Sequence, residues 1–320
     1  MLYHGFGRVM ESDLPLPELI PCEAGAPDFR VRLDPSAARA AGLEPAAAWE
    51  TLLVDSKGRP WAEAAAAGRD VRVRFREMAD FLVGADGREV AVSPLPDLPP
   101  ATLRHLLLDQ LMPFVLSQGG DAVLHGSGVE VRGAAVVLLG ESGAGKSTMA
   151  AALCANGHPL LSDDVAILRP DGDGARVIPS YPGLRLWPED GPPAGLRGPE
   201  EGPAVAHYTT KVRVPAAGLR GGAAVRPVPL GRIVLLFPAT AEAWTGAPPR
   251  PEPVPPREAL MEVLVHAFLL RGSNREHVQR QFEILALPGI LSRVRVLRFP
   301  RDRTRLSALA DAVADEAAVS

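Results

Sequence analysis

Gly140-Glu141-Ser142-Gly143-Ala144-Gly145-Lys146-Ser147, with Thr148 behind it, fits the pattern G-x-x-x-x-G-K-[ST] at every defined position. Each residue type has a chemical reason to be there. Glycines let successive backbone N–H groups turn inward and form an anion nest. Lys146 brings a point charge to the terminal phosphates of a nucleotide, and Ser147 brings a hydroxyl oxygen to Mg²⁺. The loop follows the apolar run Val136-Val137-Leu138-Leu139 and opens onto helix-forming residues, so the positive end of a helix faces the anion. The expected chemistry is the binding of a phosphate chain.

Two further sets of residues stand close enough in sequence to join it. The helix predicted over 146–156 stops at Asn156-Gly157, and His158 to Ser162 reads as a strand. If that strand runs parallel to the one before the loop, its end carries Asp163-Asp164 to the same edge of the sheet. Side chains alternate along a strand, so one of the two carboxylates is expected to face the phosphates. An Asp-Asp pair also serves as an ordinary turn cap, but beside a phosphate loop the functional reading is preferred. His125 ends another short apolar stretch, between Leu124 and Gly126-Ser127-Gly128. The glycines predict a close backbone approach there, and the histidine reads equally as structural or functional.

The elements that must position these groups fall into two parts, 1–118 and 119–320. Residues 1–27 read as an irregular lead-in and Asp28–Leu33 as a strand. Residues 36–68 are alanine-rich and predict short helices and turns. Val71, Val73 and Phe75 alternate with arginines, and a hairpin is expected around Asp86-Gly87. A helix disturbed near Pro113 follows, with Leu103, Leu106, Leu107, Leu111 and Phe114 at helical spacing. This first part predicts a small α+β module with no chemistry of its own. The second part alternates short apolar strands with helices, an α/β pattern, and ends in helices over 257–271, 275–286 and 302–317 around a strand at 294–299. The Pro/Gly-rich segment 190–204 is the expected place for a loop that closes over an acceptor.

The stretch from His125 to Asp164 resembles the catalytic domain of the HPr kinase/phosphorylase family, and looks most like the HPr-kinase-like proteins of modified-peptide gene clusters. The resemblance rests on His125-Gly126, on Gly140 to Thr148, and on Gly157-His158-Pro159-Leu160-Leu161-Ser162-Asp163-Asp164. It implies a P-loop catalytic domain of the phosphoenolpyruvate-carboxykinase type, Mg·ATP as donor, and a serine or other hydroxyl of a peptide or small protein as acceptor. It implies Asp164 as the base that takes the hydroxyl proton, His125 as its partner and Lys146 on the phosphates. Ser147 and Asp163 are expected on the Mg²⁺ side, and a homo-oligomer is in keeping with the family. Where the family carries a glutamate-bearing signature, this chain has Ser180-Tyr181-Pro182-Gly183-Leu184-Arg185-Leu186-Trp187, with Glu189 just beyond. The family's later arginine motif is not recognisable, and residues 1–118 do not look like its N-terminal part. The expectation is a relative that kept the phosphotransfer core and changed its acceptor.

Composition narrows the alternatives. The chain has 320 residues, 47% hydrophobic and 22% charged, which predicts a folded protein, not a disordered one. A formal net charge of −4 makes no electrostatic case for nucleic acid. No apolar run is long enough to span a bilayer, and the N-terminal stretch lacks a secretory h-region, so a cytoplasmic protein without membrane partners is expected. Cys22 and Cys154 form no metal or disulfide pattern. Lysine occurs only at 57, 146 and 211, which draws attention to Lys211 in the alternating stretch His207–Val214. A transport or motor ATPase is the second reading, disfavoured by the lack of an LSGGQ-type signature. A non-catalytic nucleotide sensor is the third.

Overall fold

Arg72 and Arg74 alternate with Val71, Val73 and Phe75, and the alternation sorts this strand, Asp70–Phe75, into two faces. Val73 and Phe75 enter a core while both arginines reach Asp80 on the neighbouring strand. Asp70–Phe75 lies within a nine-stranded sheet built from residues 2–94. In the computed structural model, which describes residues 1–36, 49–55, 57–188, 204–239, 246–268 and 275–317, the expected hairpin forms between Ala79–Val83 and Glu89–Pro94.

Two sequence expectations for this part are corrected. Residues 1–27 are not an irregular lead-in, because Leu2–Gly5, Arg8–Ser12 and Ile20–Pro21 are strands of the sheet. The alanine-rich run forms the strand Pro60–Ala67, paired with Glu50–Val54 on one side and Asp70–Phe75 on the other. Alanine's helix propensity amounts to only a few tenths of a kcal/mol per residue over its neighbours, about what ladder pairing on both edges overrides. Residues 37–48, also expected to turn and coil, lie outside the described residues.

A second sheet of nine strands follows, and here the α/β reading holds. Ala134–Leu139, which leads into the Gly-rich loop, is paired in parallel with Val228–Ala239 and antiparallel with Ser127–Val131. Its alternate residues serve two cores. Val136 and Leu138 pack under helices Lys146–Ala155 and Leu306–Ala317, while Ala135, Val137 and Leu139 pack under Pro256–Val265, Arg275–Leu285 and Pro288–Leu291. A strand buried on both faces must be apolar throughout, as this one is.

Leu160–Ser162 runs antiparallel to Ser127–Val131, which is itself antiparallel to Ala134–Leu139. The returning strand is therefore parallel to the loop strand at one remove. Both end at the same edge, as the crossover argument required. The glycine at 126 makes this edge tight: a Cβ there would stand 2.7 Å from the carbonyl oxygen of Leu138.

The two sheets are joined by the helical stretch 100–118. Pro113 has no N–H to donate, and the stretch widens to a π-helix at Leu106–Leu111, where the N–H of Met112 reaches Leu107 O. Leu106, Leu107, Leu108 and Leu111 are all fully buried, in a core that also takes in Phe81 from the first sheet and Ile167 from the second. Among the described residues no helix is long and apolar enough to cross a membrane.

Candidate functional site

The Gly-rich loop spans the turn from Leu139 to helix Lys146–Ala155, with Gly140, Gly143 and Gly145 at positive φ. At Gly140 the need is steric as well, since a Cβ would lie 2.9 Å from Leu236 O. Residues 142–148 line a cleft of about 1030 Å³. Gly140 and Glu141 lie behind it and point their carbonyls at Lys146, whose Nζ donates to them at 2.9 and 3.2 Å. Burial pulls the Lys146 ammonium below its ordinary pKa, with Asp164 and Asp163 opposing.

Under the loop, Ser147 Oγ donates to Asp163 Oδ1 at 2.9 Å. Ser127 Oγ donates to the same oxygen at 2.6 Å, and the backbone N–H of Arg185 donates to Asp163 Oδ2 at 2.8 Å. Only one of the two acids lines the cleft, as expected, but strand alternation is not what separates them. The strand ends at Ser162, and Asp164 sits at φ +64°, a left-handed conformation that aspartate tolerates better than most residues. Asp163 consequently meets Ser147 from below while Asp164 lines the cleft. Both acids belong to the site.

Their electrostatics differ. Burial and the neighbouring Asp164 charge push Asp163 up, against Arg185 and the hydrogen bond from Ser127. Burial would push Asp164 up too, but Arg185, then His125, Lys211 and Lys146, hold it well below the usual carboxylate range. Asp164 is thus held ionised by the cations around it. His125 lines the same cleft, with its ring making a hydrogen bond to the backbone of Asp164 and an edge contact to Phe268 at 6.0 Å. Burial lowers its pKa, so the imidazole is neutral at pH 7. Of the residues singled out from the sequence, His125, Gly140 to Thr148, Asp163 and Asp164 come together.

Sequence reasoning missed the opposite wall. Arg185 is only 1% exposed. Its Nε donates to Asp109 Oδ2 at 3.1 Å, its Nη2 to Asp109 Oδ1, and its Nη1 to the carbonyl of Asp163 at 3.1 Å, with Asp164 Oδ2 3.6 Å away. Asp109 in turn accepts from His105 Nδ1 at 2.6 Å. His105, Asp109, Gln110 and Phe114 all line the cleft. Residues 1–118, expected to carry no chemistry of their own, thus supply part of the cleft wall, and through Arg185 the π-turn links Asp109 to the acids 54 and 55 positions ahead of it. A signal existed, an aspartate inside the apolar run Leu106-Leu107-Leu108-Asp109-Gln110-Leu111, which no helix face could bury without a partner.

Lys211 also reaches the cleft, stacked on Trp187 with Nζ 5.4 Å from the ring. It stands just before the strand Val212–Val214, not within one. Arg301 donates to Gly143 O at 2.9 Å and fastens the rim of the loop to the segment before the terminal helix. Glu189 and residues 190–203 of the expected acceptor loop lie outside the described residues.

A Gly-rich loop, a serine on a buried acid and a second acid thus meet at one cleft of a mixed α/β protein. Residues 119–176 match the family model "HPr Serine kinase C-terminal domain". Over 56 residues the chain is 45% identical to an HPr kinase/phosphorylase of Chlorobium phaeovibrioides, covering 18% of this chain and 17% of that one. It is 51% identical over 49 residues to the Chlorobium limicola enzyme of the same name, covering 15% of each, and 48% identical over 50 residues to that of Caldanaerobacter subterraneus, covering 16% of each. The chain is HPr-kinase-like over this segment, as the motif resemblance indicated. It spans about a sixth of the length of these curated relatives. A solved structure, the Hpr(Ser) kinase/phosphatase from Coxiella burnetii, overlays at a TM-score of 0.34 and 16% identity, over 60% of this chain and 94% of that one.

Proposed function

We propose that the chain is an ATP-dependent phosphotransferase, built on a P-loop domain of the phosphoenolpyruvate-carboxykinase type over residues 119–320, with residues 1–118 as a module packed against it. Its reaction moves the γ-phosphate of Mg·ATP to a serine or other hydroxyl of a peptide or small protein. HPr, the protein named in the relatives' own descriptions, is one candidate acceptor. A cytoplasmic location belongs to the same proposal, in keeping with the free Cys22 and Cys154.

The observation that carries this reading is the hydrogen bond from Ser147 to Asp163 with Asp164 beside it in the cleft. Ser147 Oγ and Asp163 Oδ1 are hard oxygen donors suited to Mg²⁺. Among the described residues no group of three or more His, Cys, Asp or Glu side chains makes a metal cage, so the remaining ligands would be phosphates and water. When bound, Mg²⁺ would neutralise charge developing on the phosphates. Lys146 and the loop N–H groups hold the phosphate chain in line. Asp164 takes the proton of the acceptor hydroxyl as its oxygen bonds to the γ-phosphorus, the β–γ bridging bond breaks, and ADP leaves with the electron pair. The charge of ATP offsets the cations that hold Asp164 ionised, and this raises its basicity when the donor is in place.

The test uses γ-labelled ATP with HPr and with serine-containing peptides. Label on the acceptor in an acid-stable, alkali-labile linkage supports the proposal. Acid-labile label on the protein itself, or ATP hydrolysis equally fast with and without acceptor, overturns it in favour of an ATPase.

A further inference from the structure

Arg185 joins two parts of the chain that sequence reading had kept separate. Its guanidinium makes three hydrogen bonds, the two-pronged grip on Asp109 and the bond from Nη1 to the carbonyl of Asp163. Its backbone N–H holds the Asp163 side chain as well. The guanidinium also lies over the ring of Tyr181 at 4.9 Å, and Arg213 lies over the same ring at 5.0 Å. Arg185 and Asp109 each have side chains only 1% exposed, so neither serves solubility or a surface ion pair. A two-pronged arginine–carboxylate contact is planar and directional, which a lysine or a lone hydrogen bond is not.

We propose that Asp109 is a positioning residue for the phosphotransfer site: through Arg185 it fixes the backbone of Asp163 and the orientation of Asp164, so that the helical stretch 100–118 sets the geometry of the acid pair. This rests on the function proposed above. Asp109 touches neither reacting atom; it acts by removing the freedom of the guanidinium to swing toward the cleft, where it would take Asp164 out of line with the acceptor. His105, bonded to Asp109 Oδ2 from the preceding turn, keeps the carboxylate itself from rotating. The same oxygen receives Arg185 Nε, so the three groups lock together.

The experiment uses the full chain with Asp109→Asn, Asp109→Glu, Asp164→Asn and the double variant Asp109→Asn/Asp164→Asn, with folding checked by circular dichroism. Mg·ATP affinity is measured by calorimetry, and phosphate release from Mg·ATP with water as the acceptor gives the rate. Asp109→Asn is expected to keep affinity within about threefold while the rate falls roughly a hundredfold, the scale of a misplacement of about 1 Å. Asp109→Glu, which restores the charge, is expected to recover part of that loss. The double variant is expected to be no more than about threefold slower than Asp164→Asn, because Asp109 has nothing to position once the base is gone. Equal losses of rate and affinity in Asp109→Asn, no recovery in Asp109→Glu, or multiplicative losses in the double variant overturn the proposal. If the wild-type chain binds Mg·ATP and releases no phosphate to water, the rate comparison is replaced by a structural readout, and the function proposal fails separately only if no acceptor is labelled. Asp109 is then judged by the guanidinium Nε–H signal of Arg185 in ¹⁵N spectra, identified with Arg185→Lys. Slow exchange in the wild type that is lost in Asp109→Asn supports the positioning role, and an unchanged signal overturns it.

Discussion

Ser147 and Asp163 meet beneath the Gly-rich loop, the serine hydroxyl donating to Oδ1 of the aspartate at 2.9 Å. One residue opens the helix after the loop, and the other follows a strand sixteen positions further on. Their contact means that the crossover has closed correctly and that two oxygens of the kind Mg²⁺ prefers stand side by side. The Oδ1 atom already serves Ser127, so changes at Asp163 reach two hydroxyls at once.

Asp163→Asn is expected to raise the Mg²⁺ concentration needed for half-maximal ATP binding. It should also destabilise the fold by about 1–3 kcal/mol, because the amide NH₂ must face a donor whichever way it turns, the Arg185 N–H at one oxygen position or the serine hydroxyls at the other. Calorimetry across a Mg²⁺ series and urea melts check this pair of effects. A variant with wild-type Mg²⁺ dependence would remove Asp163 from the metal side.

Asp164→Asn should separate binding from transfer. The amide is nearly isosteric but a very poor base, so Mg·ATP affinity is retained while transfer falls by roughly two to four orders of magnitude. Acceptor labelling measured beside calorimetry gives both values. Equal effects for the two aspartate variants would contradict the division of labour between them.

Lys146→Ala is expected to weaken Mg·ATP binding by roughly tenfold to a hundredfold, the range for losing one charge-assisted contact of about 1.5–3 kcal/mol. The loop should keep its shape, since Gly140 and Glu141 lose only a donor to their carbonyls. Unchanged affinity by calorimetry would argue that the cleft does not take phosphates.

Lys211→Met keeps a long apolar stem against Trp187 and removes the charge. If Lys211 faces the transferred phosphate or the acceptor, transfer should drop roughly tenfold, with Lys211→Arg close to wild type. Identical labelling rates in Lys211→Met would mark it as a solvated residue that happens to stack.

His105 makes a prediction about acid. Burial first, then Arg185, lowers its pKa from 6.5 to about 3 in the folded chain. Between those values the unfolded chain binds a proton that the folded chain does not, so stability rises with pH through this window and falls on acidification. At pH 5 the contribution is a loss of about 2 kcal/mol relative to pH 7. His105→Gln retains an N–H for Asp109 and cannot titrate, so its stability should fall less between pH 7 and 5. Urea melts at the two pH values compare the slopes, and parallel slopes would show that His105 is not buried in neutral form.

What the sequence by itself determined is the part of the site whose residues are neighbours along the chain or one crossover apart. Gly140 to Thr148 need only local backbone geometry to form their loop. Asp163 and Asp164 follow from the rule that a strand returning after a helix lies parallel to the first. His125 was legible through Gly126, whose tight fit against Leu138 is a backbone constraint. The fold reading went wrong where local preference and tertiary pairing disagree, as in Pro60–Ala67, where alanines that favour a helix are held in a strand by partners on both sides. Only the tertiary structure could decide the opposite wall. Arg185 and Asp109 are 76 positions apart, and neither carries a motif. Their ion pair exists because the helical stretch 100–118 packs its leucines into a core shared by both sheets and leaves its buried aspartate facing Arg185. Such a pairing is dictated by the cost of burying an unpaired charge, and that cost arises only once the two elements have docked.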